Sequence, residues 1–247
     1  MLTIDLNCDM GEGMPSDEAI FPFISSANIA CGGHAGDTDS MRRSVELALQ
    51  SGVAIGAHPS YPDRAGFGRS DVPESRIATL LSDLTTQIAA LQAICQKMGT
   101  RLHHVKPHGA LYNRAARDPA ISSIVCAAVI AIDPTLIIYG LSGSRTGQAA
   151  AAAGLRFVSE VFADRTYRPD GSLTPRSEPD ALIHDPATML NQVLTMIQRH
   201  QVKSMGGTII PITAGTICLH GDGDDPVKFA SIIRSALDRD EIIVAAP

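Results

Sequence analysis

Seven short β-branched or apolar runs alternate along this chain with longer segments of helical periodicity, and that alternation constrains the fold more than any other feature. The predicted strands are Leu2–Asn7, Ala27–Cys31, Val53–His58, His103–Lys106, Leu136–Gly140, Phe157–Phe162 and Ile217–His220. Thr38–Gln50, Ile77–Met98, Pro119–Ile132, Gly147–Gly154, Pro186–His200 and Pro226–Leu237 read as helices between or after them. Three of these begin on Pro after Asp118, Asp185 or Asp225, residues suited to cap a first turn. Such alternation specifies a parallel sheet in an α/β fold, either closed or nearly closed into a barrel or left open and doubly wound. Neither a G-x-G-x-x-G turn nor a P-loop occurs, which removes support from the nucleotide-binding open sheets. No linker or break in composition divides the chain, so residues 1–247 are expected to form a single domain.

Aromatic residues are 4% of the chain and Trp is absent, so the core must be built from Ala, Ile, Leu and Val. The net charge is −6 with no Lys/Arg cluster, which argues against a nucleic-acid partner. The five cysteines are odd in number and form no C-x-x-C. That fits reduced thiols in a cytoplasmic protein better than a disulfide framework or a zinc knuckle. The N-terminus lacks the basic and apolar regions of a signal peptide. The longest apolar run, residues 124–132, falls far short of the roughly 20 residues that span a bilayer, so no membrane partner is expected.

Polar residues gather at the C-terminal ends of the predicted strands, the face where α/β folds bind ligands. Asp5, Asn7 and Asp9 alternate with apolar residues, and a period of two puts them on one face of strand 1. A glycine loop carrying Glu12 follows. His34 lies among three glycines after strand 2, with Asp37 placed to cap the next helix, and His58 ends strand 3. Two histidines with a strand-1 aspartate suit zinc or iron, and suit acid–base or hydrogen-bonding work slightly better, since their spacing is not diagnostic of a metal. Lys106 sits within an apolar strand, with His108 two residues on and on the same face. There it is either neutralised by an interior carboxylate or used as an anion-binding or catalytic cation. Glu160, Asp164 and Arg165 form a polar strand end, followed by a Pro169-Asp170-Gly171 turn that reads as a hairpin or lid. Arg165 and Arg176 suit a carboxylate or phosphate. His220 and Asp222 share the strand-end address, while Asp224 and Asp225 start the last helix. Cys8, Cys31 and Cys218 read as packing thiols.

The segments DLNCDMGEG, ANIACGGHAGD, GAHPSYPD with GFGR, VKPHGALYN, EVFADRTYRPDGSLTPR and ICLHGD resemble, in order, those of the LamB/YcsF family, equated with the A subunit of 5-oxoprolinase. Gly33 departs from the family's frequent Phe before the histidine. The resemblance implies a distorted seven-stranded (β/α) barrel akin to glycoside hydrolases and deacetylases. It also implies ATP-driven opening of 5-oxo-L-proline to L-glutamate, in company with subunits B and C. On that basis Asp9 or Glu12, with His108, are expected to move protons, and Lys106 to face the developing oxyanion or phosphate. Arg165 and Arg176 would hold anions. Asp5, Asn7, Glu160, Asp164, His220 and Asp222 would line the substrate or phosphate site, and His34 and His58 would bind substrate, Mg²⁺ or another divalent ion. Two alternatives keep the same barrel: a metal-dependent deacetylase-like carbohydrate hydrolase, and a non-catalytic lactam-binding subunit.

Overall fold

The computed structural model of the chain describes residues 2–220 and 225–247. In order, its elements are β1 (Thr3–Met10), α1 (Asp17–Ile20), β2 (Ser26–Ala30), α2 (Thr38–Ser51), β3 (Ala54–His58), α3 (Ile77–Lys97), β4 (His104–Val105), α4 (Gly109–Arg117), α5 (Pro119–Ile132) and β5 (Ile137–Leu141). There follow α6 (Arg145–Ala152), β6 (Phe157–Phe162), α7 (Pro186–Arg199), β7 (Gln201–Lys203), β8 (Ile209–Pro211), β9 (Thr216–Leu219), α8 (Pro226–Arg239) and β10 (Ile243–Val244). Strands β1 to β6 and β9 pair in parallel, and β9 pairs back to β1, so the sheet is closed. This settles the choice between barrel and open sheet. Strand β10 adds to the first residues of β1.

Helix starts follow the chemistry expected of them. Asp37 accepts from the Asp39 and Ser40 amides in a reciprocal capping box, and Asp118, Asp185 and Asp225 each accept from an amide of the helix they precede. Helix α3 buries Leu80, Leu84, Ile88, Leu91 and Cys95, a stripe at helical spacing. With its leading turn it spans Glu74–Lys97 and is long and apolar enough to cross a membrane by length and composition alone. In the fold that stripe belongs to the same apolar cluster as Ile29, Ile55 and Val125.

Three elements depart from expectation. Helix α4 begins directly after His108, where no helix was expected. Gly109, at φ +55°, lets the backbone turn there without strain. The β7–β8 ribbon and β10 are two or three residues long, too short for any periodicity to show. Gly33 packs where an added β-carbon would run into the Gln87 and Ser60 side chains, so this chain has no room there for an aromatic ring.

Candidate active site

Period-two alternation turns one residue in two of each strand into the barrel, and the inward residues here are mostly polar. At the floor, Asp5 accepts from Ser25 (2.6 Å), Ser26 (2.8 Å) and Thr216 (2.6 Å). Burial raises the Asp5 pKa, and these hydroxyls oppose the rise. One layer up, Asn7 donates to Glu160 Oε1 (2.9 Å) and Thr216 (2.7 Å), and accepts from Asn28 (2.7 Å). Asn28 also donates to Asp9 (2.8 Å), and its carbonyl oxygen meets His104 Nε2 at 2.8 Å. His104 stacks on Tyr139 at 4.0 Å and fits because Gly56 beside it has no side chain.

Lys106 crowns this ladder. Its Nζ lies 2.9 Å from Asp9 Oδ1, 2.9 Å from Glu160 Oε1, 3.2 Å from Asn7 Oδ1 and 3.1 Å from Cys218 Sγ. Burial disfavours its charge, but Asp9, with Cys218 and Glu160, outweighs burial and holds the pKa well above that of an ordinary lysine. Burial likewise works against the Asp9 carboxylate. His58 and Lys106 outweigh it and keep the pKa well below the usual range.

A second group gathers beside Asp9. His58 Nε2 is 3.3 Å from Asp9 Oδ2 and 2.9 Å from His108 Nδ1. Glu12 Oε1 is 2.8 Å from His34 Nε2 and 3.3 Å from His108 Nδ1. His34 and His108 stack in parallel at 3.6 Å. Burial, above all, pushes both of their pKa values down. Each of these residues offers one atom to a cluster whose ligand atoms, from Glu12, His34, His58 and His108, lie within 4.8 Å of one another.

Asp9, Glu12, His58, Lys106 and His108 border a cavity of about 1040 Å³. Arg145, Arg165, Arg168, Arg176 and His220 also line it. The ring nitrogen Nδ1 of His220 meets Asp164 at 2.7 Å. Burial raises the Asp164 pKa, but His220, with Arg176 and Arg165, outweighs it and the net shift is downward.

The expected site residues thus divide. Asp9, Glu12, Lys106, His108, Arg165, Arg176, His58 and His220 reach the cavity. Asp5, Asn7 and Glu160 are not among the residues that line it: Asn7 and Glu160 hold Lys106 from beneath, and Asp5 joins them through Thr216. His34 and Asp164 likewise stand behind the cavity wall, His34 against Glu12 and Asp164 against His220. Arg165 also reaches backward, donating to the Thr174 and Ala181 carbonyls, and so ties down the loop that follows it. The expected hairpin at residues 169–171 is present, with Tyr167 bridged to Leu173. Asp222 lies outside the described residues.

Sequence reasoning missed Asn28, His104 and the contact of Cys218 with Lys106. The signal was there for each of them. His104, Lys106 and His108 continue one period-two series, Ser26 and Asn28 form another, and Thr216, Cys218 and His220 a third. For Cys218 it was masked because a buried thiol reads as packing.

The family model described as LamB/YcsF family matches residues 4–247. A protein of Geobacillus kaustophilus (strain HTA426), named as the A subunit of 5-oxoprolinase, is 50% identical over 251 residues, covering 100% of this chain and 98% of its own. The crystal structure of a lactam utilization protein from Thermus thermophilus superposes with a TM-score of 0.91 at 39% identity, covering 100% of both chains. A family 4 carbohydrate esterase from Streptomyces lividans aligns over 99% of this chain and 92% of its own at 12% identity and a TM-score of 0.49.

Proposed function

This chain belongs to the LamB/YcsF family, and from that membership we propose that it is the A subunit of an ATP-dependent 5-oxoprolinase, working in the cytoplasm with subunits B and C. The observation that carries this reading is the 50% identity, across the whole chain, to a protein named as that subunit. The cavity supports it, lined as it is by a buried ammonium, carboxylates and arginines.

A five-membered lactam is a resonance-stabilised amide. Transfer of the terminal phosphoryl group of ATP to the amide oxygen makes the ring carbon electrophilic. Water adds to that carbon, the C–N bond breaks as the nitrogen takes a proton, and a second water releases phosphate from the acyl phosphate left behind. Lys106, fixed from below yet bordering the cavity, faces the oxygen on which charge develops. Asp9 or Glu12, with His108, moves the protons. Arg176, with Arg165, holds the substrate carboxylate or the phosphate. The sequence has no G-x-x-x-x-G-K-[ST] loop, and on this reading ATP with its Mg²⁺ sits at an interface between subunits.

The test is glutamate release from 5-oxo-L-proline with ATP and Mg²⁺, by this protein alone and with subunits B and C. Release only in the full mixture supports the reading. No release from any mixture of folded proteins contradicts it and favours the metal-dependent hydrolase.

A further inference from the structure

The histidine cluster has a bonding problem that hydrogen bonds among its own members leave unsolved. His58 Nδ1 lies 2.7 Å from the Lys106 carbonyl oxygen, and His108 Nε2 lies 2.9 Å from the Phe67 carbonyl oxygen. Carbonyl oxygens only accept, so each of those nitrogens carries a proton. In neutral rings the remaining nitrogens, His58 Nε2 and His108 Nδ1, are then bare lone pairs, and they face each other at 2.9 Å. Both also face carboxylate oxygens, Asp9 Oδ2 at 3.3 Å from His58 Nε2 and Glu12 Oε1 at 3.3 Å from His108 Nδ1. The same Glu12 oxygen meets His34 Nε2, while His34 Nδ1 is buried with no hydrogen-bond partner. Lone pairs and anions converge on one point, and positive charge has to meet them. A proton on His58 Nε2 meets His108 Nδ1 and Asp9 Oδ2 but leaves Glu12 Oε1 against the His108 ring nitrogen; a metal ion meets Glu12, His34, His58 and His108 together.

We propose that Glu12, His34, His58 and His108 bind one divalent transition-metal ion of the zinc type at the mouth of the barrel. Three imidazole nitrogens and one carboxylate oxygen are its donor set, whereas magnesium and calcium take oxygen ligands. The surrounding chain holds the rings for this purpose. Phe67, whose carbonyl sets the His108 tautomer, is a non-glycine residue at φ +54°, a strained conformation of the kind found at ligand sites. Its ring stands edge-on to His34 and His108 at 5.4 and 5.5 Å. Gly68 follows at φ +63°, and a β-carbon there would lie 2.8 Å from His34 Cβ and 2.9 Å from His108 Cδ2. Glu12, His58 and His108 border the cavity, so a coordination position faces it. A second group of ligand-like residues, Asp9, Cys218 and His220, is unsuited to a cation, because the Lys106 ammonium already contacts its Asp9 and Cys218 atoms.

The site stands on side-chain geometry and does not rest on the lactam reading; with an ion bound, Glu12 and His108 are ligands and proton transfer in the lactam reading falls to Asp9, so each can fail alone. Chelator-treated, full-length protein is titrated with Co²⁺, read by visible absorption and by metal content after gel filtration. The expected result is one Co²⁺ per chain, displaced by Zn²⁺ but not by Mg²⁺. Affinity should fall at least about tenfold in Glu12→Gln and in His34→Asn, each checked for folding by circular dichroism, and should persist in Cys218→Ser. No uptake by the folded wild-type protein overturns the site. So does equal uptake by both ligand variants, or loss of uptake confined to Cys218→Ser. Glutamate release assayed on the same preparations reports on the lactam reading separately.

Discussion

Along β1, Leu6, Cys8 and Met10 turn outward into the apolar sleeve between barrel and helices, while Asp5, Asn7 and Asp9 turn inward among hydroxyls, amides and an ammonium. Barrels of this kind are ordinarily filled by layers of Val, Ile and Leu. Here the interior is a connected polar column from Asp5 at the floor to Lys106 near the mouth. The contrast separates two ways of holding a fold. Sleeve contacts are non-directional, and each side chain has many interchangeable neighbours. Column contacts are directional, and removing one member orphans the next.

The largest expected effect comes from breaking the column at its top. Lys106→Met leaves Asp9 and Glu160 buried without their cation and should cost about 3–5 kcal/mol in denaturant unfolding. A loss under about 1 kcal/mol would show that the column does not carry the load assigned to it. In the sleeve, Leu91→Ala removes a fully buried side chain from α3 and should cost about 2–5 kcal/mol, with the catalytic rate per folded molecule unchanged. A changed rate would blur the division between the two layers. Asn28→Ala strips partners from Asn7, Asp9 and His104, and thermal unfolding should register about 1–3 kcal/mol.

The smallest effect lies near the end of β1. Burial pushes the Asp17 carboxyl up to about 6, against the hydrogen bond it accepts from the Gly11 amide and with help from Glu12. Its other oxygen is buried without a partner. With the folded pKa raised, the contribution to stability is fully present below the unfolded pKa of about 4 and is lost as pH rises through about 6. The melting temperature of the wild-type protein should therefore fall relative to Asp17→Asn across that window. A constant difference between the two would contradict the assignment.

The fold was legible because strand and helix periods differ and because aspartates before prolines mark helix starts. Closure of the barrel was not, since it depends on β9 meeting β1 across most of the chain. For the site, strand-end position alone identified Asp9, Lys106, His58 and His108. Depth within the barrel was invisible: Asp5 and Asp9 share one face of one strand, yet only Asp9 reaches the cavity. Nor could the sequence show that Arg165 turns away to bind carbonyls, because that depends on the path of the loop after it.

The role proposed for the polar column, presenting Lys106 to a lactam during ATP-driven opening, stands or falls on one assay. Glutamate release from 5-oxo-L-proline is measured in complexes assembled with subunits B and C, comparing wild-type chain, Lys106→Met and the sleeve variant Leu91→Ala. Lys106→Met, shown to be folded and assembled, is expected to lose at least about a hundredfold in rate while Leu91→Ala keeps the wild-type rate. Undiminished release by the Lys106→Met complex would contradict that role.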